Sequence, residues 1–214
     1  MVVSKYTYRR LTYRSDKLVA ISALARHVHE TFGSGVEYLA GLWRVHLPYQ
    51  LLWTSGGPNA SRSENYIALS WSWASIDVKV INPCVVYYED DREILIKIKD
   101  ASIEHASEDR FGPVIGGRLL ISGRLTRVAV YTHLPAKSGS STIFIALDCL
   151  ISAQEHGAVK KDCPQNSAPG IITRNLYFLS VRKLLGSNCT IGLILEPVEG
   201  IGEHYRRFGI YEES

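Results

Sequence analysis

Residues 93–106 read EILIKIKDASIEHA, and the order of apolar and polar side chains in them decides the fold. Ile94, Ile96 and Ile98 recur at every second position while Lys97 and Lys99 take the opposite face, the period of a β-strand with one side buried. Outward from this stretch the same character persists. Residues 66–81 (YIALSWSWASIDVKVI), 117–134 (GRLLISGRLTRVAVYTHL), 141–151 (STIFIALDCLI), 175–184 (NLYFLSVRKL), 190–198 (TIGLILEPV) and 205–213 (YRRFGIYEE) are rich in β-branched and aromatic residues. Glu89, Asp90 and Asp91 lie between two such patterns and read as a solvated hairpin turn, not as paired catalytic carboxylates. A Gly-, Pro- and Asn-rich loop is expected over 156–170, and another over 54–65, TSGGPNASRSEN.

On the N-terminal side the period changes. In RSDKLVAISALARHVHETFGSG (14–35), Leu18, Ile21, Ala25, Val28 and Phe32 follow one another at steps of three and four, a single helical stripe. Ser15 or Asp16 can cap its start and Gly33 can close its end. EYLAGLWRVHL (37–47) reads as a shorter helix, and PYQLLW (48–53) as one more turn with Pro48 near its first position. Helices that precede strands, rather than alternate with them, give an α+β fold: N-terminal helices packed on a mostly antiparallel, β-rich sandwich or open barrel of about seven or eight strands. Residues 1–214 are expected to form a single compact domain, with a helical part over 1–53 and a β-rich part over 66–214.

Composition excludes several classes. The chain is 46% hydrophobic and 21% charged with a formal net charge of +3, close to the averages for globular proteins. Its basic residues are scattered apart from pairs such as Arg206–Arg207, which argues against nucleic acid as a partner. No apolar run approaches the roughly 18 residues of a membrane-spanning helix, and the N-terminus has no secretory h-region. Cys84, Cys149, Cys163 and Cys189 are too far apart in sequence for a zinc ribbon, and they read as small core residues of a cytoplasmic protein. His27 and His29 diverge by about 200° on their helix and cannot share a metal. Tyr205 stands where a dinucleotide fingerprint beginning at Gly200 would need its third glycine, and no G-x-S-x-G elbow occurs. The residues therefore point to no catalytic group, no cofactor and no metal.

LSWSWASIDV (69–78) is the most unusual stretch, because it holds two of the four tryptophans. Read as a strand, it puts Leu69, Trp71 and Trp73 on one face and Ser70, Ser72 and Ala74 on the other, which suits a core strand better than an aromatic platform for a ligand.

Several stretches, taken in order, resemble the region that follows the heterokaryon-incompatibility (HET) domain in fungal HET-family proteins. YRRLTYRSDKLVAISALARHV (8–28) carries Asp16, Lys17 and Leu18 of that pattern. EYLAGLWRVHLPYQLLW (37–53) carries Gly41, Leu42, Trp43 and Trp53, and SWSWASID (70–77) carries Trp71 and Trp73. DASIEHASEDRFGPVIGGRLLISGRL (100–125) supplies Phe111, Gly112 and Gly117, and the closing strands supply Arg207 and Gly209. Ala23, Leu69 and Arg110 depart from the pattern, where glycine, proline and proline are usual. The resemblance covers nearly the whole chain. It implies a non-catalytic module associated with non-self recognition and programmed cell death, acting as scaffold, partner-recognition surface or regulator. The L-S-Y-x-W-G-like stretch of a HET domain does not occur, so the implied partner is a protein, or an N-terminal HET effector domain outside these residues. A second reading, from the strand count and aromatic supply alone, is a barrel-like binder of small molecules or a metabolic enzyme.

Overall fold

A computed structural model describes residues 2–9, 11–33, 35–56, 62, 65–81, 92–132, 143–147, 157–160, 173–184 and 188–213. The acidic run 89–91, Cys84, Cys149, Cys163, His133 and His156 lie outside the described residues. In chain order the helices and first strands are α1 (Val2–Thr7), α2 (Lys17–Phe32), β1 (Tyr38–Leu39), β2 (Leu42–Trp43), α3 (Leu47–Gln50), β3 (Thr54–Ser55) and β4 (Val80–Ile81). There follow β5 (Arg92–Ile94), β6 (Lys97–His105), β7 (Val114–Ser122), β8 (Leu125–Thr132), β9 (Ile143–Leu147) and β10 (Gly157–Lys160). The last three strands are β11 (Thr173–Leu184), β12 (Thr190–Pro197) and β13 (Tyr205–Glu213). The fold is α+β.

Seven strands form one antiparallel sheet: six in the order β10-β8-β11-β12-β13-β9, with β5 added on β11. The long strand β11 pairs with β8 along Thr173–Leu179 and with β5 along Arg182–Leu184, so two strands share one of its edges. The order is open at both ends, which makes the described sheet an open one and not a closed barrel. β6 and β7 make a separate two-stranded hairpin, and β1–β2 and β3–β4 are short ladders. One apolar cluster joins Leu18 and Ile21 of α2, Leu47 of α3, Trp53, Trp71 and Trp73, Ala101 and Val114 of the hairpin, and Leu179, Val181, Leu193 and Ile210 of the sheet. The helical third is thus packed on one face of the large sheet. On the opposite face Phe178 stacks on Tyr211 with centroids 4.1 Å apart.

Several sequence expectations are corrected. Residues 37–47 are not a helix but the hairpin β1–β2 followed by a 3₁₀ turn at Arg44–His46. Ala40 (φ 47°) and Gly41 (φ 100°) form its two-residue turn, the backbone that a tight hairpin of matching twist requires. LSWSWASIDV is not a strand. Trp73–Ser75 form a 3₁₀ turn whose N-cap Ser72 accepts a bond from the Ala74 N–H at 3.1 Å. Because the chain turns here, Trp71, Ser72, Trp73, Ala74 and Ser75 are all buried, and no small polar face opposes the tryptophans. Neither Ser15 nor Asp16 caps α2 with its side chain; Ser15 Oγ instead donates to Asp16 Oδ1 at 3.1 Å. Phe32 is 73% exposed, since the last turn of α2 overruns the core before Gly33 ends it. Part of the loop expected over 156–170 is strand β10, paired with β8, and Thr54–Ser55 of the loop expected over 54–65 is strand β3, paired with β4.

Candidate functional site

The tryptophan turn is the point at which the signature residues meet. Its backbone and side chains are tied to the β1–β2 turn by two bonds: Ser72 Oγ donates to the Ala40 carbonyl at 2.6 Å, and Trp73 Nε1 donates to the Gly41 carbonyl at 2.8 Å. A Cβ on residue 41 would lie 2.6 Å from Trp73 Nε1, so the indole edge and a glycine at this positive φ require each other. Tyr6 of α1 packs edge-on against Trp73, with centroids 5.9 Å apart, and its hydroxyl donates to the Lys17 carbonyl at 2.7 Å.

Lys17, the first residue of α2, is buried. Its Nζ donates to the Ile76 carbonyl just beyond the turn and lies 3.4 Å from Asp77 Oδ1, while the other oxygen of that carboxylate, Oδ2, receives Arg14 Nε at 2.7 Å. Burial holds the Lys17 ammonium below its ordinary range, and the Asp77 carboxylate opposes that shift. Asp16 is exposed beside it, and Leu18 is fully buried in the cluster with Leu42.

Trp53 closes the arrangement from the other side. Its Nε1 donates to the Trp71 carbonyl at 2.9 Å, while the Arg207 guanidinium lies 3.4 Å from its ring centroid and Arg207 Nη2 donates to the Trp53 carbonyl. The Arg207 N–H reaches Ser70 Oγ at 3.2 Å. Arg62 adds a further tie, donating to Ser75 Oγ at 2.9 Å, to the Arg207 carbonyl at 2.7 Å and to the Ser70 carbonyl at 3.4 Å. Arg207 reaches this place because β13 carries a bulge: Ile194 pairs with Gly209 and Leu195 with Arg207, leaving Phe208 extra. Strand alternation puts Arg206 and Arg207 on opposite faces, and the bulge decides that Arg207 is the one turned inward. Arg206 sits outside on Glu196, with Nε 2.7 Å from the carboxylate, and Arg207 is inside.

Other signature residues stand apart. Phe111 meets His29 and Tyr38 with centroids 5.5 Å away in each case, and Tyr38 meets Trp43 at 5.1 Å. Arg26 bridges to Asp109 at 3.0 Å over this group, and the Gly112 N–H closes its turn on the Asp109 carbonyl at 3.1 Å. Gly117 (φ 149°) lies in β7, where a Cβ would run into the Ser102 carbonyl of β6. Gly209 is buried in the sheet between Ile194 and Leu147. Sequence reasoning missed Arg62, Ser70, Ser72, Ser75 and Asp77 as members of the network. The serines and Asp77 lay inside the quoted motif; nothing local marked Arg62.

Chemically the network binds elements to one another. The donors named above go to carbonyls, hydroxyls and the Asp77 carboxylate of the same chain. Elsewhere the Cys189 thiol is pushed up to about 11, by burial first and by the Glu212 carboxylate it donates to at 3.2 Å, so at neutral pH it is held as an unreactive thiol. Burial also raises the Tyr38 and Tyr211 hydroxyls. Among the described residues no group of three His, Cys, Asp or Glu side chains is placed to hold a metal ion, and no helix is long and apolar enough to cross a membrane.

No family model, no curated protein and no solved structure matches this chain.

Proposed function

We propose that this chain is a non-catalytic module of the kind that follows the HET domain in fungal heterokaryon-incompatibility proteins, where it recognises a protein partner or restrains an effector domain in the cytoplasm. The observation that supports this reading is the convergence of Lys17, Gly41, Trp53, Trp71, Trp73 and Arg207, far apart in the chain, on one largely buried network whose hydrogen bonds join distant parts of the same chain. A motif set of this kind specifies a shape. A rigid, correctly shaped surface is what a recognition or regulatory module needs, whereas an enzyme signature would gather acids, bases or nucleophiles around a cleft.

The test is expression in fungal cells of the chain alone, of a HET-type effector domain alone, and of the two joined. The chain alone is expected to leave viability unchanged, and the joined form is expected to change the rate of effector-driven death. Death triggered by the chain alone, or a joined form identical to the effector alone, overturns the reading.

A further inference from the structure

Three cationic side chains are buried among the described residues: Lys17, Arg182 and Arg207. Lys17 bonds to the Ile76 carbonyl and Asp77, and Arg207 stacks on Trp53 and donates Nη2 to its carbonyl. Arg182 is different. It is 2% exposed, and among the described residues neither its Nε nor its Nη1 has a hydrogen-bond partner. Arginine does not lose its proton in proteins, so this is a charge taken out of water with two of its nitrogens donating to nothing.

The setting is specific. Arg182 follows the bulge of β11 after Ser180 and sits between Ile94 of β5 and Ile191 of β12. It is two residues from the end of the strand, where the Leu184 N–H bonds to the Cys189 carbonyl at 3.0 Å and closes the β11–β12 connection. Glu212 stands across Ile191 on β13, but its carboxylate accepts the Cys189 thiol at 3.2 Å, and among the described residues it makes no ion pair with Arg182. A guanidinium held this way has the donors that suit a carboxylate or phosphate oxygen, and an anion there would supply both the missing acceptor and the missing charge.

We propose that Arg182 anchors an oxyanion-binding site at the Leu184–Cys189 end of the sheet, taking a carboxylate or phosphate group. The test compares the Tm of the wild-type chain, Arg182→Met and Arg182→Lys at constant ionic strength, in chloride and with increasing inorganic phosphate or acetate. The wild type is expected to show a saturable rise of about 2–4 °C. Response to phosphate only assigns a phosphoryl group, and response to acetate only assigns a carboxylate. In Arg182→Met the rise is expected to vanish, with a Tm in chloride at or above that of the wild type, because the unpaired charge is gone. No saturable rise in the wild type, or one that persists in Arg182→Met, overturns the proposal. Should the methionine variant not fold, equilibrium dialysis of labelled phosphate and acetate against the wild type and Arg182→Lys decides. About tenfold weaker binding by the lysine variant supports the site, because lysine keeps the charge and loses the fork; equal binding by both, or none by the wild type, overturns it.

Discussion

Gly41→Ala probes the joint between the β1–β2 turn and the tryptophan turn. Two costs add. An alanine forced to φ near 100° carries backbone strain of about 1–2 kcal/mol. Its methyl group would also lie 2.6 Å from Trp73 Nε1 and 2.8 Å from Cε2, well inside contact distance, so the indole must shift and its bond to the Gly41 carbonyl must stretch or break. Losing that bond in a buried setting costs about 1–2 kcal/mol more. The sum, about 3 kcal/mol, corresponds to a fall in Tm of about 6–12 °C for a chain of this size. Urea melts followed by tryptophan fluorescence measure it, and a double-mutant cycle with Trp73→Phe separates the two parts. Phenylalanine lacks Nε1 and the outer indole carbons, so in that background Gly41→Ala is expected to cost only the strain, giving a coupling of about 1–2 kcal/mol. Strict additivity would refute the claim that the indole and the glycine require each other. A neutral Gly41→Ala would refute the strain as well.

Two further outcomes follow from the same network and its surroundings. Arg207→Lys keeps the charge but loses the stack on Trp53 and the planar fork; it is expected to destabilise by about 2–4 kcal/mol and to shift tryptophan emission to the red, and a melt within 0.5 kcal/mol of wild type, about the scatter of surface substitutions, would count against the stack. Alkaline stability is set by groups whose folded pKa values are raised: Cys189, from 9.0 to about 11, and Tyr38 and Tyr211, upward from 10.0. Their contribution is complete below the unfolded values and is lost as pH climbs through the folded ones, so urea midpoints are expected to fall between pH 9 and 11. Tyr6, Tyr66 and Tyr205 are raised as well, and among the described residues Lys17 alone acts in the opposite sense, because its value is lowered and its burial cost fades as pH rises toward 10.5. Cys189→Ala is expected to move the onset of the fall nearer to pH 10; an unchanged onset would mean that the thiol does not contribute.

Much of the architecture was legible along the chain because it rests on local periodicity. The step of three and four in α2 marks Leu18, Ile21 and Ala25 as a face, and those residues are buried. The alternation at 93–106 and the β-forming runs after it became strands, although the bulge between Ile98 and Asp100 breaks the simple in–out order that the isoleucines suggested. The order of these elements, helices first and strands after, was enough for the α+β class.

What the sequence could not decide is where the chain turns against its own propensity. Residues 37–47 have a helical pattern, yet they form a hairpin, because Ser72 and Trp73 hold the Ala40 and Gly41 carbonyls from 32 residues away. The SWSWAS segment alternates like a strand, yet it turns, because Ser72 caps it, the Trp71 carbonyl accepts from Trp53 and the Trp73 indole donates to the Gly41 carbonyl. Arg207 looks like half of a basic surface pair, yet a one-residue bulge sends it inward to Trp53, 154 positions earlier. The sequence by itself determined which segments are helix-like or strand-like, since period and propensity act within a few residues. The tertiary structure alone decided which polar groups are buried and how they are satisfied, since each of those bonds joins residues whose proximity exists only after the chain has folded.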